Sequence, residues 1–269
     1  MAGLAMGEDE VFADFASRIR LVGAEVAEIG GSMPEDVLAE HGVARWTCVD
    51  PHRPAQAGVV REVRTAPAEQ MPLADESVDA VFSSNALQFV DVERVLAEVA
   101  RVLRPGGLFY AHFGPIWSGV DGHQLEYVRY DDRDLGFWRD TLLPPWAHLA
   151  YARDELAELL RSGLPADLVE LLVHHVHDSD TINRLFFEDY VAAALGSGLQ
   201  WVQVTASCEI DYEIEPPEVD AGLLRDVCVE ELARAISRRR GRPTQLGVRD
   251  VMMVLRRPTR SRPGGAVDA

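Results

Sequence analysis

"AEQMPLADESVDAVFSSNALQFVDVERVLAEVARVLRPGGLFYAHF", residues 68–113, is the stretch on which the fold turns. Within it "VDAVFSSN" is apolar at nearly every position, the pattern of a strand covered on both faces. "DVERVLAEVARVLR" spaces its apolar residues for one helix face, begins at the capping type Asp91 and stops at "PGG". "GLFYAHFG", residues 107–114, is the next strand. Two strands joined by a helix are expected to lie parallel.

The same alternation runs upstream. "EVAEIGG" (25–31) reads as a strand, "PEDVLAEHGV" (34–43) as a helix stopped by Gly42, "RWTCVDP" (45–51) as a strand broken by Pro51, and "GVVREVRT" (58–65) as a third strand. Before them "EDEVFADFASRIRLV" (8–22) places Val11, Phe12, Phe15, Ile19 and Val22 at helical spacing. The pattern predicts an α/β, doubly wound, Rossmann-like sheet over residues 1–113. Residues 114–198 hold no convincing core strand. A Gly/Pro/Trp-rich loop leads to helical segments at "ARDELAELLRSG", "ADLVELLVHHV" and "TINRLFFEDYVAAAL", too long for an ordinary crossover and read as a helical insertion or lid. Residues 199–258 complete the sheet with strands at "LQWVQVTASCEI" and "VRDVMMVLRR" and a helix, "AGLLRDVCVEELARAISRRR", between them. The tail, 259–269, is expected to be disordered.

The 269 residues suit one large α/β domain or a domain with an insertion. The net charge of −18 repels phosphate backbones, so nucleic acid is not the expected partner. No apolar run reaches membrane-spanning length and no N-terminal signal pattern is present, so the expectation is a cytoplasmic protein without a membrane partner. A homodimer is compatible with the pattern. All 26 basic residues are arginine, which leaves no lysine for base or Schiff-base chemistry. Cys48, Cys208 and Cys228 fit neither a disulfide framework nor a zinc knuckle and read as buried structural thiols.

The order of parts resembles the class I S-adenosylmethionine-dependent methyltransferases, in particular the small-molecule, type 11-like group. The resemblance is carried by "AE-x-x-P", "VD-x-V-x-S", the helix and "LRPGG" in residues 68–113. It covers roughly residues 25–113 and, weakly, the last two strands. "GPIWS", "DGH" and "PPWAH" in the insertion are similar to segments of methyltransferase-like proteins. The resemblance implies a mostly parallel seven-stranded sheet with a helical insertion, S-adenosyl-L-methionine as cofactor, and methyl transfer to a small acceptor, with oxygen as acceptor atom in natural-product, secondary-metabolism fashion. Two alternatives stay open. One is a non-methylating reaction such as a cyclisation, with histidines as acid and base. The other is a non-catalytic binding or scaffolding member with a closed pocket. A dinucleotide-binding dehydrogenase is a poor rival, because the first turn lacks G-x-G-x-x-G.

By that resemblance Glu28 and Gly30 fall on the family's acidic and first-glycine positions, with Gly31 beside them, while Ser32 and Pro34 stand where further glycines are usual. Glycine lets main chain approach a ligand closely. Ser32 and Glu35 also have the spacing of a capping box with Pro34 in the first turn, which competes with a ligand for helix N–H groups. Asp50, ending the second strand, takes the ribose-binding position, where a carboxylate accepts from both hydroxyls. Pro67 replaces the family's adenine-reading Asp, which leaves adenine to backbone at Ala68 and Glu69 and packing by Met71 and Leu73. Ser84 and Asn85 would face the sulfonium end, with Asn85 favoured for its donor and acceptor pair.

Methyl transfer mainly requires alignment and exclusion of water. Tyr110, Phe113 and Trp117 are candidate aromatic faces for a sulfonium, with core packing favoured for Tyr110. His123 and His148, in loops of the insertion, are the catalytic candidates, as bases near neutral pH. Asp121 is a candidate to orient a histidine, whereas Asp131 and Asp132 read as solvated loop acids. His174 and His177 share a helix face, but no third ligand is placed, so no metal is assigned.

Overall fold

The computed structural model describes residues 7–31, 33–126, 128–210, 212–214 and 217–259. The chain opens with α1 (Glu8–Arg18), β1 (Glu25–Ile29), α2 (Glu35–Glu40), β2 (Arg45–Val49), β3 (Gln56–Ala57) and β4 (Arg61–Arg64). After a 3-10 turn at Ala68–Gln70 come β5 (Val78–Ser84), a second 3-10 turn at Leu87–Phe89, α3 (Val92–Val102) and β6 (Leu103–Phe113). The insertion holds β7 (Val128–Tyr130), β8 (Arg133–Leu135), α4 (Ala147–Ala150), α5 (Arg153–Arg161), α6 (Ala166–His177) and α7 (Phe187–Gly196). β9 (Gln200–Ser207), α8 (Val229–Arg240) and β10 (Asp250–Arg256) close the fold.

The sheet runs β3-β4-β2-β1-β5-β6-β10-β9. From β4 to β6 neighbouring strands are parallel, and β10 is antiparallel to both β6 and β9. The sheet therefore has eight strands rather than the seven expected. The extra one is β3, two residues antiparallel on the outer edge of β4. Pro51 and Pro54 interrupt the stretch where a crossover helix would run, and Glu35 holds its far end by accepting from the Val60 N–H at 2.7 Å.

Each face of the sheet is covered by what the alternating pattern supplies. On one side Phe12 and Phe15 of α1 meet Trp46, Phe82 and Tyr110 in an aromatic cluster with centroids 4.9–6.3 Å apart. On the other, Val92, Val95, Leu96, Val99 and Val102 form the buried stripe of α3, which begins where Asp91 accepts from the Arg94 N–H. The insertion builds its own core from Leu156, Leu160, Val169, Leu172 and their neighbours on α5 and α6. Its hairpin β7–β8 is a separate two-stranded sheet. Among the described residues no helix is long and apolar enough to cross a membrane.

Three of the boundaries that differ from the expected ones do so for a tertiary reason. β6 starts directly after α3, because "LRPGG" continues along the sheet: Gly106 donates to Arg257 O at 2.9 Å and Arg257 donates to Gly107 O at 2.9 Å. α7 starts at Phe187 rather than Thr181, because the Asn183 amide is spent on Leu87 O and Val90 O. α8 starts at Val229 rather than Ala221, because the Arg225 N–H donates to the Tyr151 hydroxyl at 2.7 Å and its guanidinium pairs with Glu155 at 2.6 Å. α1 ends before Val22, which is 63% exposed. Residues 260–269 of the tail lie outside the described residues.

The insertion is fastened to the sheet by buried charge. Arg249, entering β10, pairs with Asp121 of the insertion at 3.0 Å and with Asp250 at 2.8 Å, and all three side chains are 7% exposed or less. The Tyr212 hydroxyl also donates to Asp121. The loop after β6 is laced to the same segment, since Ile116 donates to Arg249 O and Gly247 donates to Ser118 O, both at 2.8 Å.

Candidate active site

In this sheet the chain leaves β1 for β2 on one side and later returns to place β5 on the other. The carboxyl ends of β1 and β5 are thus the switch point at which open α/β sheets take their ligands. Ile29, at the end of β1, is paired with Val49 of β2 and Ser83 of β5.

The turn that follows is possible only with glycines. Gly30 has φ 65° and Gly31 φ 148°. A Cβ on Gly30 would stand 2.9 Å from Ala86 Cβ, and one on Gly31 only 2.0 Å from Glu28 Oε1. Beneath the turn Glu28 is 2% exposed. Its Oε2 accepts from Trp46 Nε1–H at 2.6 Å and from the Met33 N–H at 3.4 Å. Glu28 therefore braces the turn from below. Burial pushes its carboxyl up from an ordinary 4.5 to about 7. The folded state then holds a proton that the unfolded chain has lost between those values, so this residue makes stability fall as pH rises from about 4.5 through 7. Glu28→Gln, which keeps an acceptor for Trp46, removes that dependence. Relative to wild type it should gain on the order of 3 kcal/mol between pH 5 and pH 8 in urea unfolding. Parallel pH profiles for the two proteins would show that Glu28 is ionised throughout.

Asp50 follows β2 with its side chain 14% exposed. One oxygen accepts from the His52 N–H at 2.7 Å and the other lies 3.3 Å from Arg53 Nε. The carboxylate is thus held at the carboxyl edge of the sheet rather than turned into bulk solvent. Cys48 is buried with its thiol on Gly31 O, and burial, then the nearby Glu28 carboxyl, push it up to about 12. Cys208 and Cys228 are exposed, contrary to the expectation of three buried thiols, because β9 is largely exposed and Cys228 lies in the loop that Arg225 holds out of α8.

The capping box expected of Ser32 and Glu35 falls partly outside the described residues. α2 begins at Glu35 with Pro34 as its N-cap, and Glu35 reaches across to the Val60 N–H instead of back along its own turn. Ser32 lies outside the described residues. Ala68 is buried in the core, and Glu69 accepts from the Asp91 N–H at 2.9 Å. Met71 is buried, and Leu73 packs against the same core.

Asn85 is exposed in the left-handed region at φ 51°, with its N–H on His112 O at 2.8 Å. Beside it lies a feature missed from sequence. The hydroxyls of Ser83 and Ser84 and both amide atoms of Gln88 are buried without a hydrogen-bond partner among the described residues. Gln88 is 0% exposed. Buried polar groups are normally paired, so these atoms at the end of β5 call for partners that the described residues do not supply. A glutamine inside the apolar run "ALQFV" was the available signal.

Of the aromatic candidates, Tyr110 donates to Asp14 at 2.9 Å on the α1 side, and Phe113 packs on Tyr190. Neither ring is offered to a ligand. Trp117 lies past the end of β6 with Arg184 5.4 Å over its ring.

His123 and His148 come together, with ring centroids 5.9 Å apart and both side chains 6% exposed. Burial lowers each to about 3, so both are neutral imidazoles at physiological pH and not the near-neutral bases expected. His123 Nδ1 accepts from the Leu125 N–H at 3.2 Å. His148 Nε2 lies 2.9 Å from Trp117 O, a carbonyl that only accepts, so Nε2 carries the proton and Nδ1 carries a lone pair. Asp121 serves Arg249 rather than a histidine, and Asp131 and Asp132 are exposed as expected. His174 pairs with Asp178 at 3.6 Å, and among the described residues no three His, Cys, Asp or Glu side chains are grouped to hold a metal.

A cavity of about 550 Å³ lies past the end of β6, between Trp117, α4, the end of α6 and α8, with His148 in its wall. A smaller groove of about 260 Å³ lies near Glu25, Arg45 and Val78, at the opposite, amino ends of the strands. It is remote from the switch point.

Residues 29–111 match the model of the methyltransferase domain family. Over 82 residues the chain is 43% identical to malonyl-[acyl-carrier protein] O-methyltransferase of Methylococcus capsulatus, covering 27% of this chain and 29% of that protein. Over 121 residues it is 32% identical to the human thiol S-methyltransferase TMT1A, covering 40% and 44%. The chain thus spans less than half the length of either relative. An S-adenosylmethionine dependent methyltransferase from Mesorhizobium loti superposes with a TM-score of 0.51 at 20% identity, over 95% of this chain and all of that one, a likeness of fold.

Proposed function

We propose, from the match of residues 29–111 to the methyltransferase domain family, that the chain is a class I methyltransferase that binds S-adenosyl-L-methionine and transfers its methyl group to a small-molecule acceptor. The observation that carries this is where the family match falls. It spans the strands around the switch point, where Gly30 and Gly31 bring main chain close, Asp50 stands at the end of β2, and Ser83, Ser84 and Gln88 present unpaired polar atoms.

These residues fit the nucleoside half of the cofactor, with Asp50 for the ribose hydroxyls and the Ala68–Glu69 backbone beside the adenine. The N-terminus of α2 fits the other end poorly. It is a six-residue helix whose N-cap, Pro34, has no N–H, and Glu35 and Asp36 occupy its first turn. The orphaned hydroxyls of Ser83 and Ser84 and the Gln88 amide, with Asn85, are the groups left to meet it. When bound, the cofactor supplies an electrophilic methyl on a sulfonium. The chain's own contribution is positioning and the exclusion of water by the insertion.

The acceptor atom we propose is oxygen, in a natural product or similar small molecule, in keeping with the relatives that act on malonyl-[acyl-carrier protein] as O-methyltransferases. The cavity of about 550 Å³ has the size of a small-molecule pocket. The test is incubation with methyl-labelled cofactor and a panel of small hydroxylated acceptors. Label should appear in an extractable O-methyl product. Label on nitrogen, carbon or sulfur overturns the choice of atom, and no label on any acceptor counts against methyl transfer itself.

A further inference from the structure

The larger cavity collects charge of the sign that the rest of the chain lacks. Against a net charge of −18, the last turn of α8 carries Arg238, Arg239 and Arg240 in succession, and the latter two line the cavity together with Arg225. Arg225 is held by Glu155 and Arg240 by Asp189, each at 2.6 Å, and Asp189 is shared with Arg242. Three guanidinium groups on the wall therefore face two carboxylates, one of them divided. Arg239 is exposed and makes no ion pair or hydrogen bond among the described residues.

The same lining also holds groups of the opposite kind. His148 is 6% exposed, and its Nδ1 lone pair has no donor. The Trp117 carbonyl fixes this tautomer, so Nδ1 accepts and does not donate. His177 Nε2, in the same wall, is likewise buried without a partner. Trp117, Tyr151 and Phe186 supply aromatic surface to the same cavity. A buried lone pair left unsatisfied is costly, so a donor brought beside these residues would be favoured.

We propose that this cavity binds a small molecule with an O–H or N–H donor at one end and an anionic group, carboxylate or phosphate, at the other. The donor end meets His148 Nδ1. The anion meets Arg239, with Arg225 and Arg240 alongside, and the body of the molecule lies on Trp117, Tyr151 and Phe186. Calling this ligand the methyl acceptor rests on the methyl-transfer proposal, whereas the binding itself does not.

The experiment is therefore a binding measurement on the full chain without cofactor. Hydroxybenzoates and hydroxyphenylacetates, their methyl esters, the same acids without the hydroxyl, and the corresponding phosphate monoesters are titrated by calorimetry and ligand-detected NMR. The hydroxy acids should bind. Esterifying the acid should weaken binding about tenfold or more, and removing the hydroxyl about fivefold. Arg239→Gln, on an exposed helix position, should abolish the preference for acid over ester and leave the preference for the hydroxyl. His148→Phe, which removes the lone pair and keeps a ring in its place, should do the reverse. Tighter binding of the phosphate monoester than of the acid would assign the anion as phosphate, and the opposite order as carboxylate. Esters binding as well as acids to the wild type, an unchanged acid preference in Arg239→Gln, or no binding by any member of the panel at millimolar concentration overturns the proposal. A hydroxy acid that binds here but receives no methyl group leaves the site standing and removes the acceptor role.

Discussion

Asp50→Ala should weaken S-adenosylmethionine binding a hundredfold or more with little change in melting temperature. A carboxylate accepting both ribose hydroxyls makes two charge-assisted hydrogen bonds, and losing them costs about 3 kcal/mol. The interactions that Asp50 makes within the protein are weak by comparison. Arg53 is half exposed, so its pair with Asp50 contributes little, and the His52 N–H can turn to water. Asp50→Asn keeps an acceptor for His52 while lowering the charge, and it should fall between the two, about tenfold weaker than wild type. Isothermal titration with S-adenosylhomocysteine, which does not turn over, gives the comparison cleanly. Unchanged affinity in the alanine variant would mean that the cofactor lies elsewhere.

The second large effect concerns the joint between insertion and sheet. Arg249→Ala should destabilise the protein by about 3–5 kcal/mol, because it leaves Asp121 and Asp250 buried together without their cation. The pair with Asp121 is also the anchor of the loop that carries Trp117 and leads to His123, so the cavity should loosen with it. Replacing all three charges at once, with Asp121→Asn, Arg249→Met and Asp250→Asn, removes the unpaired charge and should recover part of the stability. Chemical unfolding at constant slope is the measurement. A drop below about 1 kcal/mol for Arg249→Ala would show that water reaches the carboxylates and that the joint is not a dry ion pair.

The part of the fold that sequence makes legible is the part whose signals are local. The apolar run of β5, the stripe from Val92 to Val102 and the Asp91 cap all act within a few residues of themselves, and each stands where the spacing predicts. What sequence hides depends on distant partners. "PGG" looks like a stop, yet Arg257, some 150 residues later, carries the chain straight on into β6. The first half of the last helix is withheld by Tyr151 and Glu155. Glu35, read as part of a turn within its own helix, reaches instead to the β4 entry.

The site divides along the same line. The Gly30–Gly31 turn and the place of Asp50 follow from strand ends and could be read directly. The contact of Glu28 with Trp46 could have been inferred from period-two alternation, which sets it on the same side as Val26. The cavity could not be read at all. Trp117, His148, Phe186 and Arg239 belong to four separate segments, and only packing of α4, α7 and α8 over the end of β6 brings them together. That packing also explains why burial holds His123 and His148 below the ordinary histidine range. A loop histidine is solvated by default, but these two are enclosed by the insertion.

Calorimetric titration of the wild-type chain with S-adenosylmethionine and S-adenosylhomocysteine probes the switch-point crevice most directly. One molecule of either should bind per chain, with heat that disappears in Asp50→Ala. A folded protein that takes up neither at millimolar concentration would contradict the account, and would mean that Pro34 and the acidic start of α2 have closed the crevice that Gly30 and Gly31 leave open.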